Sequence, residues 1–143
     1  MENIPTEKDW GDYISDMDSS YAHEMFFAKT NKEMQDSFRE NVLGRVENLR
    51  WMPEKPFQYY MLGLRDYVMS GNFGFHDKAD ASSCYLELII QKLEEQPDHI
   101  KPILSDLLEA AEYVGNNQKE YDADEDIYGI FKEKLNIIKK FSR

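Results

Sequence analysis

Between Pro56 and Gly71 the apolar residues Phe57, Tyr60, Met61, Leu64, Tyr67 and Val68 recur every three or four positions. That spacing gathers all six on one side of an α-helix, whereas a strand would scatter them over both faces. Similar stripes occupy most of the chain, and no alternating run of β-branched residues competes with them. The periodicity therefore constrains the chain to an all-α fold. It predicts a single-domain antiparallel helical bundle of five to seven helices over residues 1–143.

Caps and breakers divide this pattern. Trp10, Tyr13, Ile14, Met17 and Tyr21 form the stripe of a first helix. Thr30 and Glu33 make a capping box ahead of Met34, Phe38 and Val42, and Gly44 ends or bends that helix. Pro53 and Pro56 bracket a break before the Phe57–Val68 stripe, which Ser70 and Gly71 stop. Residues 71–77 read as a loop. Asp80 then caps a helix bearing Ala81, Cys84, Leu88, Ile89 and Leu93, ended by Gln96 and Pro97. Ile100, Ile103, Leu104, Leu107, Leu108, Ala111 and Val114 form the next stripe, closed by Gly115 as a C′ residue. A last helix directs Ile127, Ile130, Phe131, Leu135 and Ile138 inward. Its Lys132, Lys134, Lys139, Lys140 and Arg143 complement the dipole at its C-terminal end.

A hydrophobic fraction of 41% over 143 residues supplies enough material for a core, so the net charge of −11 does not signal disorder. Cys84 is the only cysteine, which excludes an intramolecular disulfide. Its place in an apolar stripe reads as a buried, inert thiol. The start, Met1 to Glu7, has neither a basic region nor an apolar run, so no secretory signal is expected. No apolar run approaches the roughly 20 residues of a membrane span. A cytoplasmic protein with no membrane partner is expected.

The acidity is concentrated. From Asp77 to Asp126 there are fourteen Asp and Glu against four Lys. A helical chain with one such stretch carries a strongly negative face, which steers basic partners and repels nucleic acid. Glu109, Glu112, Tyr113, Tyr121, Asp122, Asp124, Glu125 and Asp126 are the candidate partner-binding residues. Tyrosines among carboxylates suit a surface rich in Lys and Arg, and Tyr128 flanks the same loop. Asp12, Asp16 and Asp18 form a second candidate. Trp51 and the Phe57–Tyr60 segment are core residues first and partner anchors only if exposed.

Chemistry is harder to find. Asp122, Asp124 and Asp126 have the 1, 3, 5 spacing of an EF-hand loop, with Glu133 at position 12. Ile127 stands where that loop needs glycine and Gly129 where it needs an apolar residue, so capping or partner contact is the better reading. His23, His76 and His99 show no metal-ligand spacing, and one cysteine rules out a thiolate zinc cluster. No serine sits in a nucleophile turn, and Gly71 to Gly74 lacks the Lys-Ser/Thr of a phosphate loop. No catalytic residue, metal or cofactor is expected, and the oligomeric state is open.

Three segments carry a family resemblance: Trp51-Met52-Pro53 with Pro56-Phe57 and Tyr59-Tyr60; Asp66-Tyr67; and Asn117-Gln118 with Tyr121-Asp122-Ala123 and Ile127-Tyr128-Gly129. They resemble small helical bacterial proteins, some of which look like immunity proteins of polymorphic toxin systems. The resemblance implies a protein that lays an acidic face over the basic cleft of a cognate toxin. It brings no binding motif, so no residue role is carried over. The expected function is that of an immunity or antitoxin-like protein that occludes a basic protein partner, a nuclease toxin domain foremost. The alternatives are a helical scaffold or adaptor that takes a peptide or helix in an apolar groove, and a small ligand-binding or enzymatic bundle with an internal polar pocket.

Overall fold

The computed structural model describes residues 3–142, so Met1, Glu2 and Arg143, and with Arg143 part of the expected basic helix end, lie outside the described residues. The helices are α1 (Met17–Phe26), α2 (Gln35–Glu40), α3 (Val42–Arg50), α4 (Glu54–Ser70), α5 (Lys78–Glu95), α6 (Pro97–Ile100), α7 (Leu104–Asn116), α8 (Glu125–Tyr128) and α9 (Phe131–Phe141). Turns of 3-10 helix occupy Glu7–Trp10, Lys101–Ile103 and Gln118–Tyr121. The described residues contain no strand, and the fold is all-α. None of their helices is long and apolar enough to cross a membrane.

α5 is the centre of the bundle, packed against α3, α4, α6, α7 and α9. Its expected stripe holds except at Cys84, which is only partly buried, and burial extends well beyond it: Ala79, Ser82, Ser83, Tyr85, Leu86 and Lys92 are buried as well. A helix enclosed this way needs its polar groups answered internally. Ser82 Oγ donates back to the Ala79 carbonyl at 3.1 Å, and the Tyr85 hydroxyl to the Leu107 carbonyl at 2.9 Å. The Lys92 ammonium donates to the Arg50 carbonyl at 2.8 Å and to Gln96 Oε1 at 2.6 Å, and lies 4.7 Å from the centre of the Phe57 ring.

The α4 stripe forms as the periodicity predicts, with all six residues buried and Gly71 ending the helix in the left-handed region at φ 73°. The expected first helix does not form as one piece. Thr6 and Asp9 cap each other's backbone N–H groups, at 3.3 and 2.8 Å, and wind the 3-10 turn that buries Trp10. Asp16 then caps α1 through Ser19 N–H at 3.0 Å. Two caps ten residues apart leave Ile14 and Met17 in solvent. The Thr30–Glu33 box forms both of its bonds but winds a turn ahead of α2, which begins at Gln35. The break that follows is at Asn41, which caps α3, and Gly44 lies inside that helix.

Two further expectations are corrected. α5 starts at Lys78, and Asp80 accepts the Tyr128 hydroxyl at 2.8 Å instead of capping the helix. Gly115 is not a C′ residue: α7 continues to Asn116, and a Cβ on Gly115 would lie 2.7 Å from the Leu135 Cβ. The glycine permits the close approach of α7 and α9. Gly115→Ala is expected to cost about 1–3 kcal/mol by overpacking. Urea denaturation of the variant beside the wild-type protein checks this.

Burial also sets a pH dependence. It pushes Lys92 down from the ordinary 10.5 to about 8, against a smaller opposing pull from Glu95. Between those values the unfolded chain holds more protons than the folded one, so stability rises with pH. Burial holds Tyr67 and Tyr121 up near 12, above the ordinary 10.0, which reverses the trend at higher pH. Burial likewise holds the Cys84 thiol up near 11, above the ordinary 9.0, which offsets the Lys92 gain from about pH 9 upward. Stability measured by urea melts is expected to rise from pH 8 to about 9 and then level off, and Lys92→Met to remove that rise.

Candidate functional site

The acidic residues before α9 do not extend that helix. Asp124 caps α8 by accepting Asp126 N–H at 2.9 Å, and after one turn the chain reverses at Gly129, with φ 77°. The reversal separates Ile127 and Ile130 from the apolar face of α9. Ile127, expected in the core, is 74% exposed, while Phe131, Leu135 and Ile138 are buried.

Two side chains hold this loop in shape. Gln118 donates through Nε2 to the carbonyls of Ala123, at 3.0 Å, and Gly129, at 2.8 Å, while its Oε1 accepts Phe131 N–H at 2.8 Å. Lys134 reaches the Tyr128 carbonyl at 2.5 Å and the Glu87 carboxylate at 3.0 Å. Asp122, in the left-handed region at φ 54°, pairs with Lys78 at 2.9 Å and ties the loop to the start of α5. Both partners are partly exposed, so this pair is worth about 1 kcal/mol at most.

The eight candidate residues fall into three groups. Asp122, Asp124, Glu125 and Asp126 share the exposed loop, and Glu125 and Asp126 have no cation within ion-pair distance among the described residues. Glu109, Glu112 and Tyr113 lie on the exposed side of α7. Glu112 faces Lys139 at 3.9 Å, and the Tyr113 hydroxyl donates to Glu120 at 2.6 Å, which raises the tyrosine pKa above its ordinary value. Tyr121 does not belong to the surface: it is only 4% exposed, with Phe73 and Tyr113 against its ring. Tyr128 is partly buried and spends its hydroxyl on Asp80. Of the three expected tyrosines, Tyr113 alone remains open to a partner.

The structure adds apolar residues that the periodicity concealed. A hollow of about 480 Å³ separates the acidic loop from residues 71–77, lined by Phe73, His76, Asp122, Asp124, Ile127 and Tyr128. Phe75, on the same loop, is 91% exposed and packs its ring on His76. A glycine-flanked loop aromatic was the available signal for Phe75. Nothing in the local pattern marked Ile127. The surface thus combines unpaired carboxylates with protruding apolar side chains.

The other candidates are spent locally. Asp16 serves as the α1 cap and Asp12 accepts the Ser15 hydroxyl at 3.1 Å, leaving Asp18 in solvent. His23 is stacked between Tyr13 and Phe27 and meets Glu7 at 2.8 Å. Burial, with nearby Asp80 and Glu87, pushes the Cys84 thiol up to about 11, far from a nucleophile's range. Among the described residues no group of three His, Cys, Asp or Glu side chains is placed to hold a metal ion.

Comparisons with protein-family models, with curated proteins and with solved structures each find no match. The functional reading therefore rests on this chain's own geometry. Gln118→Ala removes three hydrogen bonds from the acidic loop. Backbone amide exchange over residues 122–131 is expected to quicken by at least tenfold, with α4 and α5 unchanged, as hydrogen–deuterium exchange will show.

Proposed function

We propose that this protein is a stoichiometric inhibitor of the immunity type, which binds a basic protein and covers its working surface without turning anything over. The observation that carries this reading is the braced loop of Asp122, Asp124, Glu125 and Asp126 around exposed Ile127, next to exposed Phe75. Carboxylates without internal partners lose little on meeting Lys and Arg, and they speed encounter by long-range attraction. Ile127 and Phe75 supply the apolar contact that slows dissociation. A nuclease toxin domain fits this chemistry, because a cleft that binds phosphate backbone is rich in Lys and Arg. The resemblance of the Trp51–Tyr60, Asp66–Tyr67 and Asn117–Gly129 segments to small helical bacterial proteins, some of which look like immunity proteins, is in keeping with it.

The test is capture of partners from the native host with the tagged protein, beside a variant carrying Glu125→Lys, Asp126→Lys and Ile127→Ser. None of these three side chains braces the loop. One basic protein is expected, held at low salt, released at high salt and bound at least tenfold more weakly by the variant. Its nucleic-acid cleavage is expected to stop at one equivalent of the wild-type chain. Capture indifferent to both salt and the variant would contradict the reading.

A second reading, the adaptor, has one observation in its favour. A groove of about 560 Å³ between α3, α5 and α9 is lined by Val46, Leu88, Ile90 and Ile137. A partner seated there would be held by apolar contact and would respond to Ile137→Asp instead of to the loop variant.

A further inference from the structure

At the opposite end of α5 lies a crevice of about 510 Å³, where residues 10–13, the start of α1, the α3–α4 junction and the α5–α6 junction meet. Its volume lies within the roughly 300–1,000 Å³ range of small-molecule sites. Two of the six buried side-chain polar atoms without a hydrogen-bond partner among the described residues belong to residues that line it. Trp10 is 1% exposed, and its indole Nε1–H has no acceptor among the described residues. The Nδ1 of His99, another lining residue, also lacks a partner. Burial and the neighbouring Lys92 charge lower the His99 pKa, which favours the neutral imidazole.

Lys92 completes the set. It lines the same crevice, is 1% exposed, and has no carboxylate within ion-pair distance among the described residues. Two of its N–H groups go to the Arg50 carbonyl and Gln96 Oε1, and no oxygen among the described residues takes the third. An isolated indole N–H and an ammonium that meets two neutral oxygens and the Phe57 ring, with no carboxylate in contact, are both donors. Each is costly to bury alone, and both call for the same thing: an incoming acceptor, best a negative one. Beside them Trp51, Met52, Pro53 and Tyr13 supply apolar wall, and Gln91, Gln96 and Arg50, the last over the Trp51 ring at 5.1 Å, supply polar wall. At the mouth stand Asp12 and Glu95, both exposed.

We propose that this crevice binds a small aromatic carboxylate, with the carboxylate held by the Lys92 ammonium and the Trp10 indole N–H and the ring laid against Trp51, Met52 and Pro53. The acceptor supplies what both donors lack, and the flat walls select a flat body. Asp12 and Glu95 can further receive an ammonium group, so a free aromatic acid and an aromatic amino acid share the required chemistry. The site stands apart from the acidic loop and rests on different residues, so neither reading depends on the other.

Titration of the 15N-labelled protein, following the two tryptophan indole N–H resonances, tests the proposal. Trp51→Phe assigns the Trp10 signal. The probes are phenylacetate, L-phenylalanine and the neutral phenylacetamide. Saturable movement of the Trp10 signal is expected with at least one of the two acids, with phenylacetamide binding at least tenfold more weakly, as befits loss of a charge-assisted hydrogen bond. A preference for phenylalanine assigns the amino-acid form and implicates Asp12 and Glu95; a preference for phenylacetate assigns the simple acid. Lys92→Met is expected to abolish the difference between acid and amide, and Trp51→Ala, at the exposed rim, to weaken both acids without unfolding the chain. Equal binding of acid and amide by the wild-type protein, or no movement of the Trp10 signal with any probe, would overturn the proposal and leave the crevice to water.

Discussion

The enclosure of α5 is the constraint on which the rest of the structure depends. In a helix with neighbours on nearly every side an unanswered polar group or a misplaced atom is costly, and the surrounding elements are positioned by answering most of its polar groups. α7 comes close enough to take the Tyr85 hydroxyl on its Leu107 carbonyl. The end of α3 presents the Arg50 carbonyl to Lys92. α9 packs against both α5 and α7, over the gap that Gly115 leaves open for Leu135. Burying Leu86, Leu88, Ile89 and Leu93 contributes about 1.5–3 kcal/mol each before conformational entropy is set against it.

Each end of this central helix carries one of the two surfaces with functional potential. At its start, Lys78 and Asp80 anchor the acidic loop through Asp122 and Tyr128, so the loop is a shaped surface and not a solvated tail. At its end, Lys92 brings a positive charge into the wall of the crevice beside Trp10 and His99. The two proposals call for opposite partners: a basic protein at the acceptors of the loop, and a small acid at the donors of the crevice.

How much of this was legible in the sequence depends on how local each feature is. The stripe of α4 and its stop at Gly71 were legible because they lie within one segment, although the helix already begins at Glu54, inside the break expected between Pro53 and Pro56. The N-terminal stripe misled because the 3-10 turn at Thr6 and the cap at Asp16 override a periodicity that spans them. Gly115 could not be assigned from its neighbours, since its role is set by Leu135, twenty positions away. Ile127 kept the register of the last helix, and only the positive φ of Gly129 breaks the chain between them. Lys92 did leave a signal: it stands three residues after Ile89 and four after Leu88, on the apolar face of its helix. The acidic cluster was legible as composition, but its division into exposed, paired and capping carboxylates required the fold.

Hydrogen–deuterium exchange of the protein alone and bound to its captured partner locates the binding surface. Protection concentrated in residues 71–77 and 120–131, where the exposed Phe75 and Ile127 flank the carboxylates, is the result this account predicts. Protection confined to α1 and the α3–α4 junction, with the acidic loop exchanging as freely as in the unbound protein, would contradict it.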